Sequence, residues 1–162
     1  MFLSFILLTA CADKATDTST SDDTAEVETP TTGSLALRFS IDEDYAAVMD
    51  EPPTGKFYGS FWRGEDVDAL GPMEGSESLG TFQVMIDLPM DGSQTEVLFT
   101  KEDLPAQEVY ILGFLDSDGN NDPENSNPDA KDPVTIPSEN DFDVVGGETT
   151  EVNVFMSMLY PG

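Results

Sequence analysis

From residue 34 onward, apolar and polar side chains alternate in short runs. In "SLALRFSI", Leu35, Leu37, Phe39 and Ile41 alternate with Ala36, Arg38 and Ser40. That period of two is the mark of a strand with one buried face. "LGTFQVMIDL" repeats it with Phe82, Val84, Ile86 and Leu88, and "TTEVNVFMSML" with Val152, Val154, Met156 and Met158. "GKFYGSFWR" (55–63) and "TEVLFT" (95–100) are strand-like in their aromatic and β-branched content. "EVYILGFLD" (108–116) is apolar on both faces, which predicts a central strand. "PVTI" and "DFDVV" are shorter, and the second runs into the turn signal Gly146-Gly147. No segment of helical length shows a 3.6-residue period; "DEDYAAVMDE" (42–51) predicts one or two helical turns at most. The whole pattern predicts an all-β domain over residues 34–162, an antiparallel β-sandwich of roughly seven or eight strands. A domain of that size buries about two thirds of its unfolded surface, enough for stability without disulfides.

The first 33 residues do not follow this pattern. The chain opens "MFLSFILLTAC", an apolar run closed by small residues and the chain's one cysteine, Cys11. Leu8-Thr9-Ala10-Cys11 resembles the lipobox of bacterial lipoproteins at every position. The resemblance implies a signal peptide over 1–10, cleavage before Cys11 and a diacylglycerol on its thiol. No Lys or Arg precedes the apolar run, which predicts that translation starts further upstream and supplies a basic segment. The run is too short to span a bilayer, which takes about 20 apolar residues. Ala12, rather than Asp, follows the cysteine; by analogy with lipoprotein sorting, this favours the outer membrane. Residues 12–33 hold Thr, Ser, Asp, Ala and Glu, with one Val as the only large apolar side chain. Such a segment cannot bury enough surface to offset its ordering entropy, so 11–33 reads as a lipidated, flexible acidic tether.

Composition then narrows the function classes. There are 33 acidic and 6 basic residues and a net charge of -27. Phosphate binding needs Lys and Arg, so nucleic acid is not a partner by this reading. Histidine is absent, which removes a Ser-His-Asp triad, a Cys-His dyad and His-ligated zinc. No Gly-rich phosphate loop joins a strand to a helix. With so many acids a close carboxylate pair arises by chance, so a glycosidase-like reading carries little weight.

The densest candidate chemistry follows the central strand. In "LDSDGNNDPENSNPDAKDP", Asp116, Asp118, Asn120 and Asp122 alternate, with Gly119 free to turn tightly. Between Asp116 and Asp132 lie six acids against Lys131 alone. Calcium takes about six to eight hard oxygen ligands, and this loop offers carboxylates, amides and carbonyls. Two readings stand: a calcium site built from Asp116, Asp118, Asn120, Asp122, Asp129 and Asp132, or a hydrated turn whose Asp, Asn and Gly serve conformation. The D-x-D-x-N-x-D opening resembles the first half of an EF-hand loop. Asn121 stands where that family has Gly and Asn127 where it has Glu, so the chain is not an EF-hand and Asp129 or Asp132 must close any site. Two more acidic clusters, "IDEDY" (41–45) and "RGEDVD" (63–68), read as solvated turns. "FYGSFWR" supplies Phe57, Tyr58, Phe61 and Trp62, read as core filler over an exposed ligand-binding strip.

"LPAQEVYILGFLDSDGN" is similar to the signature of prealbumin-like and carboxypeptidase-regulatory-like sandwiches, through Leu104-Pro105, Tyr110 and Asp116. Gln107 departs from the Gly of that pattern. The resemblance covers about 30 residues and implies a prealbumin-like or immunoglobulin-like sandwich with a loop at its edge. Taken together, the sequence predicts a lipid-anchored envelope protein with a calcium-stabilised β-sandwich, binding or structural rather than enzymatic. Its partners would be the membrane, through the lipid, and an envelope protein or glycan. The competing expectations are a carboxylate-dependent envelope hydrolase and an accessory subunit docking to an outer-membrane protein by a sheet edge.

Overall fold

The inward side chains of each alternating run meet in one core. A computed structural model describes residues 30–49, 52–122 and 126–162; Cys11, nearly all of the tether and Glu124 lie outside them. The strands are β1 (Thr32–Ile41), β2 (Thr54–Arg63), β3 (Val67–Asp68), β4 (Gly71–Pro72), β5 (Gly80–Asp87), β6 (Phe99–Pro105), β7 (Glu108–Asp116), β8 (Pro133–Thr135), β9 (Asp141–Asp143) and β10 (Thr149–Leu159). One short α-helix, α1 (Glu43–Ala46), occupies the stretch expected to hold a turn or two, with Asp42 capping it; Gly64–Asp66 and Pro137–Glu139 are single turns of 3-10 helix. Among the described residues no helix is long and apolar enough to cross a membrane.

Eight strands form one sheet in the order β5-β2-β7-β8-β10-β1-β6, with β9 beside β7. β3 and β4 make a separate small hairpin, too short for any periodicity to announce. The sheet is all-β as expected but mixed rather than antiparallel: β1 and β10 run parallel, from Ser34 opposite Thr149 to Ile41 opposite Met156. Alternation fixes which face of a strand is buried and carries no information about the direction of its neighbour.

The sheet curls until its two ends almost meet. Phe82 of β5 stacks on Phe99 of β6, with ring centres 4.6 Å apart. Among the described residues no backbone ladder joins these two strands, so side chains close the seam of a near-barrel. Inside, Phe57 lies 5.2 Å from Phe39 and 5.7 Å from Phe82, and Phe61 lies 5.0 Å from Phe82. Two glycines make room for these rings. Gly59 and Gly113 face each other across β2 and β7. A Cβ at Gly59 would strike the rings of Phe57 and Phe82, and one at Gly113 the Tyr58 carbonyl and Phe57.

Two expectations shift. "TEVLFT" is not a complete strand: β6 begins at Phe99 and continues through the charged Lys101, Glu102 and Asp103. Residues 95–98 run along β1 through isolated bonds, Thr95 N to Phe39 O (2.9 Å) and Leu98 N to Leu37 O (3.0 Å). The outward side of β6 is solvated, so its charges cost little. The aromatic run also divides. Phe57 and Phe61 are core at 0% exposure, whereas Tyr58 and Trp62 lie on the opposite, outer face and are half-buried. Adjacent strand residues point to opposite faces, so a run of four aromatics cannot all be core.

Asn140 holds the sheet together where β8 and β9 are too short to do so. It is 0% exposed. Its Nδ2 donates to Phe155 O (2.9 Å) and Ile136 O (3.1 Å), and its Oδ1 accepts from Phe155 N (2.8 Å). Its own carbonyl accepts from Ile111 N at 3.0 Å. One residue thus bridges β7 to β10 as a strand would.

Candidate metal centre

β7 is flanked by β2 on one side and by β8 and β9 on the other, as its two apolar faces predict. It delivers Asp116 to the end of the sheet at 5% exposure. There the chain must turn, and Gly119 supplies the φ of +74°. Asp116 Oδ1 accepts from Gly119 N (2.8 Å) and Asn120 N (3.2 Å). Asp118 Oδ1 accepts from Asn120 N at 3.1 Å. The Asn120 amide donates to Asp118 Oδ2 (2.8 Å) and to Asp129 Oδ2. The loop's two arms are therefore tied across its width.

Asp132 closes the loop at 3% exposure. Its Oδ2 accepts from Asp129 N (3.1 Å) and its Oδ1 from Ser117 N (3.4 Å). The exit of β10 holds this end in place: Lys131 N donates to Tyr160 O and Tyr160 N to Asp132 O, each 2.8 Å. Lys131 takes φ +81°, a conformation unusual for a side chain with a Cβ.

Burial pushes the Asp132 carboxyl above the usual carboxylate range; the Asp129 and Asp116 charges push the same way, against two backbone N–H bonds that lower it. Neither ion pair among the described residues, Arg38–Glu151 or Arg63–Asp66, reaches the loop. Among the described residues neither buried carboxylate has a basic partner; backbone N–H groups hold both, and at Asp132 burial outweighs them.

Of the six expected ligands, Asp116, Asp118, Asn120, Asp129 and Asp132 belong to one hydrogen-bonded cluster. Asp122 is exposed and has contacts of its own. In kind, this donor set suits a hard cation. In arrangement, its oxygens are turned to amide N–H groups, and among the described residues no three carboxylates converge in a geometry ready to hold a metal. The other acidic clusters are not the plain turns expected: 42–45 caps and opens α1, and Gly64–Asp66 is a turn of 3-10 helix leading into β3. Asp42 Oδ1 accepts from Asp44 N (2.9 Å) at the start of α1, and Asp68 Oδ1 from Leu70 N (2.8 Å) in the β3–β4 hairpin.

Beside the loop lies a groove of about 870 Å³, lined by Val48, Met49, Pro53, Ser117, Lys131 and Leu159 among others. Among the described residues its one carboxylate is Asp87, so it offers no acid pair. The residue that sequence reading overlooked is Asn140. A lone Asn between two short β-rich runs reads as a turn residue, and only its full burial marks it as a bridge. Comparison of the chain with protein-family models, with curated proteins and with solved structures finds no match.

Proposed function

We propose that the chain is a lipid-anchored bacterial envelope protein, held through Cys11 in the outer membrane. On an acidic tether that ends where β1 begins at Thr32 it displays a non-catalytic β-domain whose 116–132 loop binds calcium. The observation that carries the calcium reading is the pair Asp116 and Asp132, buried at 5% and 3% exposure with no basic partner in the described structure. An ion there would draw the carboxylates of Asp118 and Asp129 off their amide partners and relieve the mutual repulsion. The finer architecture we infer is a flattened, prealbumin-like sandwich. The contact of Phe39 on β1 with Phe57 on β2, strands far apart in sheet order, supports two facing walls.

Calcium titration of the full-length chain, followed by melting temperature, tests the loop. Saturation to about one hundred times Kd stabilises by about 2.7 kcal/mol, a rise of about 10 °C for a domain of this size. Magnesium, which keeps its waters, produces much less. The double variant Asp116→Asn, Asp118→Asn loses the response. If calcium leaves the wild type unmoved, the loop is a hydrated Asx turn and the metal reading is wrong. Labelling of the expressed chain with a fatty acid analogue tests the anchor: label is expected on the wild type and absent from Cys11→Ser.

A further inference from the structure

The outer face of β2 and β7 is aromatic. Inward residues Phe57, Phe61, Val109 and Ile111 are 0% exposed, which turns Tyr58, Ser60, Trp62 and Tyr110 outward. Trp62 stands opposite Tyr110, and Tyr58 opposite Phe114. Trp62 Nε1 donates to Ser60 Oγ on its own strand (2.7 Å), and Ser60 Oγ donates to Leu112 O (3.2 Å). These bonds tie the half-buried indole to its own strand on the outer face.

The two ends of this face differ in charge. At one end Tyr58 stacks on Phe114 at 5.3 Å, and Lys56 Nζ lies 5.8 Å from the Tyr58 ring centre. The chain fills this aromatic surface with its own ammonium. At the other end, β9 sets Asp141 opposite Tyr110 and Asp143 opposite Glu108. Phe142 packs on the core, so Asp141 and Asp143 face outward. All three acids are exposed and none is in an ion pair among the described residues. Burial, then the charges of Glu108 and Asp141, raises the Tyr110 hydroxyl above its ordinary value. Arg63, at the end of β2, is engaged by Asp66 at 3.6 Å.

We propose that the Trp62–Tyr110 end of this face docks a lysine- or arginine-bearing segment of a partner protein, the cation lying over the rings and pairing with Glu108, Asp141 and Asp143. The charge is complementary, since aromatic faces attract cations and carboxylates hold them. The Lys56–Tyr58 contact is the same interaction made within the chain. The site lies at the opposite end of β7 from the acidic loop and does not depend on calcium.

The chain has one tryptophan, so its fluorescence reports this site alone. The probe is a short arginine-containing peptide, with citrulline replacing arginine as the neutral control. The arginine peptide is expected to change Trp62 emission and the citrulline peptide to leave it unchanged. Calorimetry is expected to show at least about fivefold weaker binding for the double variant Asp141→Asn, Asp143→Asn, the size of one exposed cation–π or ion-pair contact. A second double variant, Asp44→Asn with Glu74→Gln, removes the same charge elsewhere and is expected to bind nearly as the wild type. Equal weakening in both double variants reduces the effect to general charge attraction and overturns the proposal. So does equal binding of the citrulline peptide, or a response of Trp62 to a chitin oligosaccharide and not to the arginine peptide.

Discussion

Single residues carry unequal weight in this sheet. Asn140→Ala removes the side-chain partner of the N–H and of the C=O of Phe155, while the Ile136 carbonyl keeps the Glu139 N–H at 3.3 Å. Each unsatisfied buried group costs about 1–3 kcal/mol, so urea unfolding is expected to show a loss of about 3–5 kcal/mol. A loss below about 1 kcal/mol would mean that β8 and β9 bridge the gap without it. At Gly59 a methyl group meets the rings of Phe57 and Phe82. Gly59→Ala is expected to cost about 1–3 kcal/mol by overpacking in the same measurement. Asp132 adds a pH dependence of definite sign. Its folded carboxyl titrates above the ordinary 3.8, so the native state holds more protons than the unfolded chain between those values. The penalty from Asp132 is fully present above its folded pKa and disappears as pH falls to its unfolded value. On the calcium reading the ion would compete with that proton. The calcium-induced rise in melting temperature is therefore expected to shrink on acidification before ordinary carboxylates titrate, and an increment constant down to about pH 4 would argue against Asp132 as a ligand.

At the scale of elements, the two edges of the sheet are defended differently. β6 carries Lys101, Glu102, an irregular Asp103 at φ +58° and Pro105, devices that discourage further strands from pairing. β5 has no charge from Gly80 to Ile86, and Met85 is 61% exposed. Its outer edge relies on the Phe82–Phe99 stack for cover. Hydrogen exchange is expected to be slowest along β7, which has ladder partners on both sides, and fast at the alternate amides of β5 that point into the seam. Uniform protection across β5 would mean that the seam closes with backbone bonds in solution. The strand-then-turn pattern of residues 108–119 matches the structure: β7 ends at Asp116 and Gly119 takes the left-handed bend. It carried no information about which strands flank β7.

For the whole molecule the dominant quantity is charge. A chain at -27 repels itself in its compact state. Screening is expected to raise the melting temperature between about 0.01 and 0.15 M monovalent salt, where the Debye length falls from about 30 to about 8 Å. Calcium-specific stabilisation is the increment that remains at constant ionic strength. If added salt alone reproduces the whole calcium effect, the ion is screening the surface rather than occupying the loop.

The alternating runs by themselves determined that the domain is β, where most of its strands lie and which side chains enter the core. Burial follows a period of two that a linear sequence records directly. The sequence also marked the 116–132 loop, because crowded oxygens stand out by composition alone. Tertiary structure decided what depends on chain path: the parallel pairing of β1 with β10, the curl that brings Phe82 to Phe99, and the division of one aromatic run between core and outer face. It also decided that Asn140 is a bridge and that Asp116 and Asp132, 16 positions apart in the chain, share one buried corner. Those outcomes depend on which distant segments meet, and local side-chain preference does not encode that meeting.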